Sequence, residues 1–148
     1  MARRAHLFTI GYEQHREVSS LVAALDTAGI ERVVDVRALP LSRRRGFSKR
    51  GLASALEDVG IEYVHDRRLG NPKPLRDLYK QGQVSRGARA YRKHLAANAA
   101  EAVRSLVASL RGARTCLLCL EHDPRVCHRS IIVEAVTAEL PSLRVVDL

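Results

Sequence analysis

The sequence predicts an α/β fold of three layers, with a mostly parallel sheet of four to five strands and helices on both of its faces. Short apolar runs alternate along the chain with segments whose apolar residues recur at helical spacing, which is typical of parallel strands joined by helices. The chain also repeats one pattern, because Gly29-Ile30-Glu31 leads into the run VVDV and Gly60-Ile61-Glu62 leads into YVHD. A glycine that ends a helix just before a strand explains both repeats.

The individual elements follow from these runs. The predicted strands are 6–10, 32–36, 62–65, 115–120 and 143–146. The predicted helices are 18–28, a segment between Ser48 and Gly60 that buries Val59, 85–95, 99–110 and 131–140. Residues 66–84 hold prolines and glycines among basic residues, so they are predicted as a long irregular loop. We expect the first, second and fourth strands to be adjacent and central, because the motifs described below follow them.

Length and cysteine content narrow the class of protein. The chain has 148 residues, which suits one domain with a single core, and its three cysteines predict no disulfide framework. The start, MARRAHLFTIGYE, holds too short an apolar run for a signal peptide, and no run approaches the roughly 18 apolar residues of a membrane helix. We therefore expect a cytoplasmic protein with no membrane partner, and the sequence indicates no oligomeric state.

The net charge of +9 is concentrated in two segments. Residues 37–50 carry six basic side chains and no acid, and residues 65–94 carry nine basic side chains against two acids. The remainder of the chain is therefore slightly acidic. Such segregation predicts a positive face that binds phosphate or nucleic acid, and the alternative is an ordinary solvated surface rich in arginine.

The stretch 115–140 combines a predicted buried strand, a polar loop and a helix. The uncharged run TCLLCL is followed by EHDPRVCHR and then by SIIVEAVTAEL, whose apolar residues recur at helical spacing. The loop holds side chains that act as acids, bases, nucleophiles or ligands in other proteins: Glu121, His122, Asp123, Arg125, Cys127, His128 and Arg129. Because ligands of open parallel sheets bind at the carboxyl ends of the strands, this loop predicts a functional site.

Three short motifs together resemble a known family. The segment DVRALPLSRRRGF begins at Asp35, CLEHDPRVCHRS begins at Cys119, and TIGY stands at 9–12. In this combination the chain resembles the bacterial family named domain of unknown function 488. The matching positions are Asp35, Arg37, Pro40, Ser42, Arg43 and Phe47, and then Cys119, Glu121, Cys127, His128 and Arg129. The resemblance spans nearly the whole chain and implies an α/β domain; it implies no particular reaction.

Cys127 is the first candidate for a catalytic residue. If the last helix begins near it, unpaired backbone N–H groups and neighbouring positive side chains would lower its thiol pKa below the usual value of about 8.5 and make it a nucleophile. It should then be more acidic than Cys116 and Cys119, which lie in the buried strand. The alternatives are a cysteine that packs under the loop, or a helix that begins at Asp123-Pro124 and leaves Cys127 a turn inside it.

Glu121 and Asp35 are the other candidate catalytic residues. Glu121 follows the buried strand, where a carboxylate is costly unless it is paired, so it is either a general base or the partner of an arginine. The arginines that could pair with it are Arg37, Arg43 and Arg129. Asp35 lies on the same side of its strand as Arg37, and these two side chains either take part in the chemistry or hold the loop.

The arginine-rich loop after the second strand predicts an anion site. Arginine binds phosphate in a bidentate manner, and a serine hydroxyl or backbone N–H groups complete such a site. The candidate anion-binding residues are Tyr12, Arg37, Ser42, Arg43, His128 and Arg129. Phe47, at the end of the loop, either anchors it in the core or stacks on a base.

No cofactor and no metal are predicted. The loop after the fourth strand holds several possible ligands, but their spacing matches no zinc pattern with paired Cys-x-x-Cys or His-x-x-x-His. Adjacent residues such as Cys127 and His128 would also rarely reach the same ion.

Three classes of function stay open. The first is an enzyme that acts on a phosphate-bearing small molecule or on nucleic acid, with arginines holding the anion and Cys127 or Glu121 as the chemical group. The second is a nucleic-acid-binding module without catalysis, and the third is a small-molecule sensor or partner-binding domain. The occupant of the cleft between 35–47 and 121–129 would distinguish these classes.

Overall fold

A computed structural model describes residues 4–148, in which there are five strands and six α-helices. The strands are β1 (His6–Gly11), β2 (Arg32–Asp35), β3 (Glu62–His65), β4 (Thr115–Cys119) and β5 (Arg144–Asp147). The helices are α1 (Val18–Thr27), α2 (Lys49–Glu57), α3 (Lys73–Lys80), α4 (Val84–Asn98), α5 (Ala100–Ser109) and α6 (Arg129–Glu139). The signal-peptide prediction concerns residues 1–3 in part, and these lie outside the described residues. Across 4–148, none of the helices combines the length and the apolar character that crossing a membrane requires.

All five strands are parallel, in the order β3-β2-β4-β1-β5. The prediction that the first, second and fourth strands are adjacent and central is therefore confirmed. Leu118 of β4 is level with Ile10 of β1 and with Asp35 of β2. Because these strands end together, the three loops that follow them leave the sheet at one edge.

Helices cover both faces of the sheet, so the predicted three-layer α/β fold is also confirmed. Successive residues of β4 point to opposite sides. Leu117 and Cys119 belong to the core under α4, α5 and α6, whereas Cys116 and Leu118 belong to the core under α1 and α2. Two of the three cysteines in the chain therefore lie on opposite faces of the same strand.

The repeated Gly-Ile-Glu pattern marks the same helix ending twice. Gly29 and Gly60 have positive φ angles of 71° and 80°. The N–H of Ile30 donates to the Leu25 carbonyl at 3.1 Å, and that of Ile61 donates to the Leu56 carbonyl at 3.0 Å. These are the hydrogen bonds of a Schellman motif, which caps the last turn and turns the chain into the next strand.

The prediction of an irregular loop over residues 66–84 is wrong. The segment contains a single 3-10 turn, Arg67–Leu69, and the helix α3. Pro72 and Pro74 stand at the N-cap and in the first turn of α3, where a missing N–H removes no helical hydrogen bond, so these prolines begin the helix. Val59 is also misplaced by the sequence: α2 ends at Glu57, and Val59 is 46% exposed.

Candidate functional site

A pocket of about 400 Å³ opens at the carboxyl edge of the sheet. Tyr12 after β1, Arg37 after β2, and Cys119 and Glu121 at the end of β4 line one side of it, and residues of α3 line the other. The structure thus brings together three of the loops that the sequence placed at one edge. It adds α3, which sequence reasoning did not find.

The two basic segments meet beside this pocket. Gly70 lies so close to the first segment that a Cβ atom placed on it would be 2.6 Å from Cα of Ala38. Residues 37–41 and residues 71–80 therefore form neighbouring walls, and the second wall carries the positive side chains of Arg76 and Lys80. The pocket opening is consequently positive on the side of α3.

Asp35 and Arg37 form a buried ion pair that holds the loop after β2. Arg37 Nε and Nη2 donate to the two carboxylate oxygens of Asp35 at 2.9 and 2.7 Å, and the hydroxyl of Tyr63 donates to the same carboxylate. Arg37 Nη1 donates to the Phe47 carbonyl at 2.7 Å. Burial opposes the charge of Arg37, but the Asp35 carboxylate outweighs this and raises the pKa of the guanidinium. Asp35 is completely buried and does not line the pocket, which favours the second alternative above, a pair that holds the loop.

The rest of the arginine-rich loop is held by its own contacts. Arg44 Nη1 donates to the carbonyl oxygens of Tyr12 and Glu13 at 2.9 and 3.1 Å. The Ser42 hydroxyl accepts a hydrogen bond from the Arg44 backbone N–H at 3.1 Å. Phe47 is fully buried and stacks on the Tyr12 ring with centroids 4.9 Å apart, so it anchors the loop in the core. Among the candidate anion ligands in this loop, only Arg43 is left as an exposed positive side chain.

Arg129 does not pair with the Glu121 carboxylate. Its Nη1 donates to the backbone carbonyl of Glu121 at 3.0 Å, and the side chain is 1% exposed. Within residues 4–148, Glu121 forms no ion pair with Arg37, Arg43 or Arg129, so the alternative of a Glu–Arg pair is not found there. Burial, followed by the charge of Cys119, raises the pKa of Glu121. Glu121 therefore lines the pocket as a half-buried carboxyl group whose proton is held more tightly than usual.

A buried cluster of Cys119, Cys127 and His128 forms the floor of the pocket. The two sulfur atoms and an imidazole nitrogen all lie within 4.8 Å of one another, and Cys127 Sγ is 3.6 Å from His128 Nδ1. His128 Nε2 is 2.8 Å from the carbonyl oxygen of Val36. Because a carbonyl only accepts, Nε2 carries a proton and donates, which leaves Nδ1 facing the sulfur atoms. The structure thus brings the adjacent residues Cys127 and His128 to one point, contrary to the expectation from their spacing.

The two thiols of this cluster affect each other's ionisation. A hydrogen bond from Cys127 lowers the pKa of Cys119 in spite of burial, whereas burial and then the neighbouring Cys119 raise the pKa of Cys127. For Cys127, which is 2% exposed, this direction is opposite to the low pKa that the sequence predicts. Burial lowers the pKa of His128, but the Cys119 thiolate raises it by more. Burial raises the pKa of Cys116, as predicted.

The backbone around Cys127 has features of both helix starts considered above, one at Asp123-Pro124 and one near Cys127. Asp123 caps a second 3-10 turn, Pro124–Val126, by accepting a hydrogen bond from the Arg125 N–H at 2.9 Å. The α-helix itself begins later, at Arg129. Cys127 lies between the two, and its sulfur accepts the backbone N–H of Arg129 at 3.5 Å. An N–H from the first residue of α6 therefore points at the cluster.

Two polar atoms of the pocket have no partner within residues 4–148. They are Oδ1 of Asn71, whose residue is 2% exposed, and the hydroxyl of Tyr79. Nearly all buried polar atoms in proteins are hydrogen-bonded, and these two are exceptions in residues that line the pocket. Four of the exposed large apolar side chains also line this pocket: Leu39, Leu41, Leu120 and Val126. The pocket thus offers an apolar rim, unpaired polar groups inside and positive charge at one side.

Sequence reasoning missed the contribution of α3 and the role of Cys119. A signal for α3 was present, because Leu75, Leu78 and Tyr79 recur at helical spacing after two prolines that suit a helix start. For Cys119, alternation along β4 and its position at the last residue of the strand place it at the predicted site edge.

The chain was also compared with known proteins. No curated protein and no solved structure matches it. Residues 17–136 match the family described as Domain of unknown function DUF488, and this range contains both longer motifs and the whole Cys119–Cys127–His128 cluster. TIGY at 9–12 precedes the matched range. The chain therefore belongs to the DUF488 family.

Proposed function

We propose that the protein is an enzyme whose pocket at the carboxyl edge of the sheet binds a small anionic molecule, and that the cluster of Cys119, Cys127 and His128 is its reactive centre. The observation that carries this proposal is the convergence of two sulfur atoms and an imidazole nitrogen within 4.8 Å at the floor of a pocket. Groups that perturb each other's ionisation in a cleft are typical of functional sites. Glu121, with its raised pKa, lies beside them as a proton donor or acceptor.

The character of the substrate follows from the walls. Arg76 and Lys80 favour an anion such as a phosphate or carboxylate. Asn71 and Tyr79 offer one unpaired acceptor and one hydroxyl for a polar part of the molecule. The apolar rim favours a hydrophobic or flat part, so a phosphate-bearing molecule with an organic body fits these walls better than inorganic phosphate alone.

The chemistry rests on an ionised sulfur. A thiolate is both a strong nucleophile and a metal ligand, and either use requires that a proton leave the cysteine pair near neutral pH. The interaction between Cys119 and Cys127 favours that loss, and His128 stabilises the resulting charge. Asp35, a candidate catalytic residue from the sequence, has a supporting role here because its carboxylate is occupied by Arg37 and Tyr63.

Alkylation with an anionic and a neutral reagent tests both parts of the proposal. In the presence of a chelator, we expect iodoacetate to modify Cys119 or Cys127 below the free-thiol pKa of about 8.5, with Cys116 left intact as an internal control. A variant with Arg76→Gln and Lys80→Gln should react more slowly with iodoacetate. If each cation attracts the anionic reagent by about 1 kcal/mol, the loss of each one lowers the rate by about fivefold. Its rate with neutral iodoacetamide should not change. Rates measured by mass spectrometry give the comparison.

Lys93→Gln is the matched control, because Lys93 is an exposed cation on α4 outside the pocket. Equal iodoacetate rates in this control and in the Arg76/Lys80 variant would contradict the anion site. If Cys119 and Cys127 are as unreactive as Cys116, the proposal of a reactive centre is contradicted.

A second candidate function is nucleic-acid binding by the positive surface around the pocket. The observation that favours it is the contact of the two basic segments at Gly70 and Ala38. Arg43 and Arg45 of the first segment and Arg67 of the second are exposed. Phosphate contacts release counterions, so such binding weakens steeply as salt rises.

We expect weak binding of a labelled single-stranded oligonucleotide, measured by fluorescence anisotropy, that is strongest at low salt. A variant with Arg43→Gln and Arg45→Gln should bind more weakly and lose about two units of charge from the salt slope. Arg111→Gln is the control, because Arg111 is exposed just before β4, at the opposite edge of the sheet. Binding that is absent at low salt, or indifferent to salt, contradicts this function.

A further inference from the structure

We propose that Cys119, Cys127 and His128 form a zinc site with an open fourth position that faces the pocket. The inference rests on the proposed function because it takes the same cluster as the functional centre. It concerns what the sulfur atoms bind, and it can be tested without knowing the substrate.

The distances within the cluster are compatible with a tetrahedrally coordinated metal ion. Zinc bonds to sulfur at about 2.3 Å and to imidazole nitrogen at about 2.0–2.1 Å, so tetrahedral angles place the two ligand atoms about 3.6 Å apart. The separation of Cys127 Sγ from His128 Nδ1 is 3.6 Å. The Cys119 sulfur completes a triangle in which no pair of ligand atoms is more than 4.8 Å apart. An ion can therefore reach all three atoms with only small shifts of the side chains.

The groups behind the ligands are those that support a metal. A histidine ligand usually donates its other ring N–H to a carbonyl or carboxylate, which fixes the ring and exposes the free nitrogen. His128 Nε2 makes this contact with the Val36 carbonyl at 2.8 Å. The sulfur of Cys127 accepts the Arg129 N–H at 3.5 Å. Two of the three proposed ligands, Cys127 and His128, are thus oriented by the backbone.

The ligand set also explains how the charge is buried. All three residues are less than 9% exposed, where an uncompensated charge is costly. Two thiolates balance the charge of Zn²⁺, and the imidazole is neutral in this tautomer. Two sulfurs and one nitrogen as ligands favour zinc over magnesium or calcium, which prefer oxygen ligands.

Three protein ligands with an open fourth position are typical of catalytic zinc rather than structural zinc. All three residues line the pocket, and so does Glu121. A water molecule or a substrate atom in the fourth position would therefore be next to this carboxyl group. The apolar rim above it would limit access of bulk water.

Titration of the metal-free full chain under reducing conditions tests the site. We expect about one Zn²⁺ per chain by elemental analysis after gel filtration, and Co²⁺ should give thiolate charge-transfer and tetrahedral absorption bands. Cys119→Ser, Cys127→Ser and His128→Gln should each weaken binding by about 100-fold or more. Cys116→Ser is the matched control, because it removes a buried thiol of the same strand on the opposite face, and it should leave binding unchanged.

Circular dichroism identifies any variant that fails to fold. If a variant does not fold, the Co²⁺ spectrum of the unaltered chain still tests the site. A spectrum without thiolate bands, no stoichiometric binding by the unaltered chain, or equal loss in Cys116→Ser would overturn the zinc site. Because the alkylation experiment uses chelated protein and this one uses no alkylating reagent, either proposal can fail while the other stands.

Discussion

Replacement of Asp35 by alanine will lower the free energy of unfolding by about 3–5 kcal/mol, which is the usual result of removing one partner of a buried ion pair. The carboxylate is completely buried, and the Arg37 side chain that it binds is 6% exposed. Without Asp35, the Arg37 guanidinium is left in the protein interior with only neutral acceptors. Urea denaturation measures the difference.

The expected loss in the free energy of unfolding is large because Arg37 would be left desolvated and unpaired. A strong attraction between Asp35 and Arg37 is not required. Replacing both partners together, with Asp35→Leu and Arg37→Met, should therefore cost less than Asp35→Ala alone. Glu62→Ala is the control, because Glu62 pairs with Arg32 on the surface and its side chain is 56% exposed. Such pairs contribute about 0–1 kcal/mol. If Asp35→Ala costs no more than Glu62→Ala, the buried pair does not hold the loop.

Gly11→Ala will destabilise the protein by about 3 kcal/mol, at the upper end of the usual cost of overpacking a core. A Cβ atom on Gly11 would lie 1.7 Å from the backbone carbonyl oxygen of Glu121. The obstacle is backbone, so no side-chain rotation can remove it. The chain after β1 must then move away from the chain after β4, which breaks the hydrogen bond from the Tyr12 N–H to the Cys119 carbonyl at 3.1 Å.

Thermal and urea unfolding of Gly11→Ala measure this effect, and Gly112→Ala is the matched control. At Gly112 an added Cβ would meet only the Ser109 carbonyl oxygen at 3.7 Å, an ordinary contact. The same change from glycine to alanine should therefore be nearly neutral there. Equal stability of the two variants would contradict the close approach of the loops.

The fold was predictable because its signals are local and repeated. Apolar runs, helical spacing and the glycines at positions 29 and 60 each follow from nearby residues. The order of the strands required one further argument, that polar motifs gather at the ends of central strands. The helix α3 is hard to predict because proline breaks a helix in its interior but favours it at its start, where Pro72 and Pro74 lie.

The position of the pocket was predictable, but the contacts of the side chains around it were not. The sequence placed Glu121, Cys127 and His128 at the edge of the sheet where the pocket opens. It could not show that Arg129 binds the Glu121 carbonyl rather than its carboxylate, or that Arg44 binds backbone carbonyls. An arginine has several donors and can bind any of the acceptors that the tertiary structure brings near it. Sequence spacing does not show which acceptors these are.

The surroundings of the cysteines were not predictable for the same reason. Proximity to a helix start predicts a low thiol pKa only when the sulfur has no other neighbour. Here a second sulfur lies within 4.8 Å of it, and both cysteines are buried. Which cysteines meet depends on the pairing of β4 with its neighbours, a contact between distant parts of the chain.

The position of β4 between β1 and β2 also determines when the sheet can form during synthesis. β1 pairs only with β4 and β5 among the described strands, so residues 6–11 have no sheet partner until the ribosome has released residues 115–119. Contacts of such long sequence separation are slow to form, because a large loop must close first. Until then the apolar strand β1 lacks its partners in the sheet, and unpaired strands of this kind are prone to misfolding contacts.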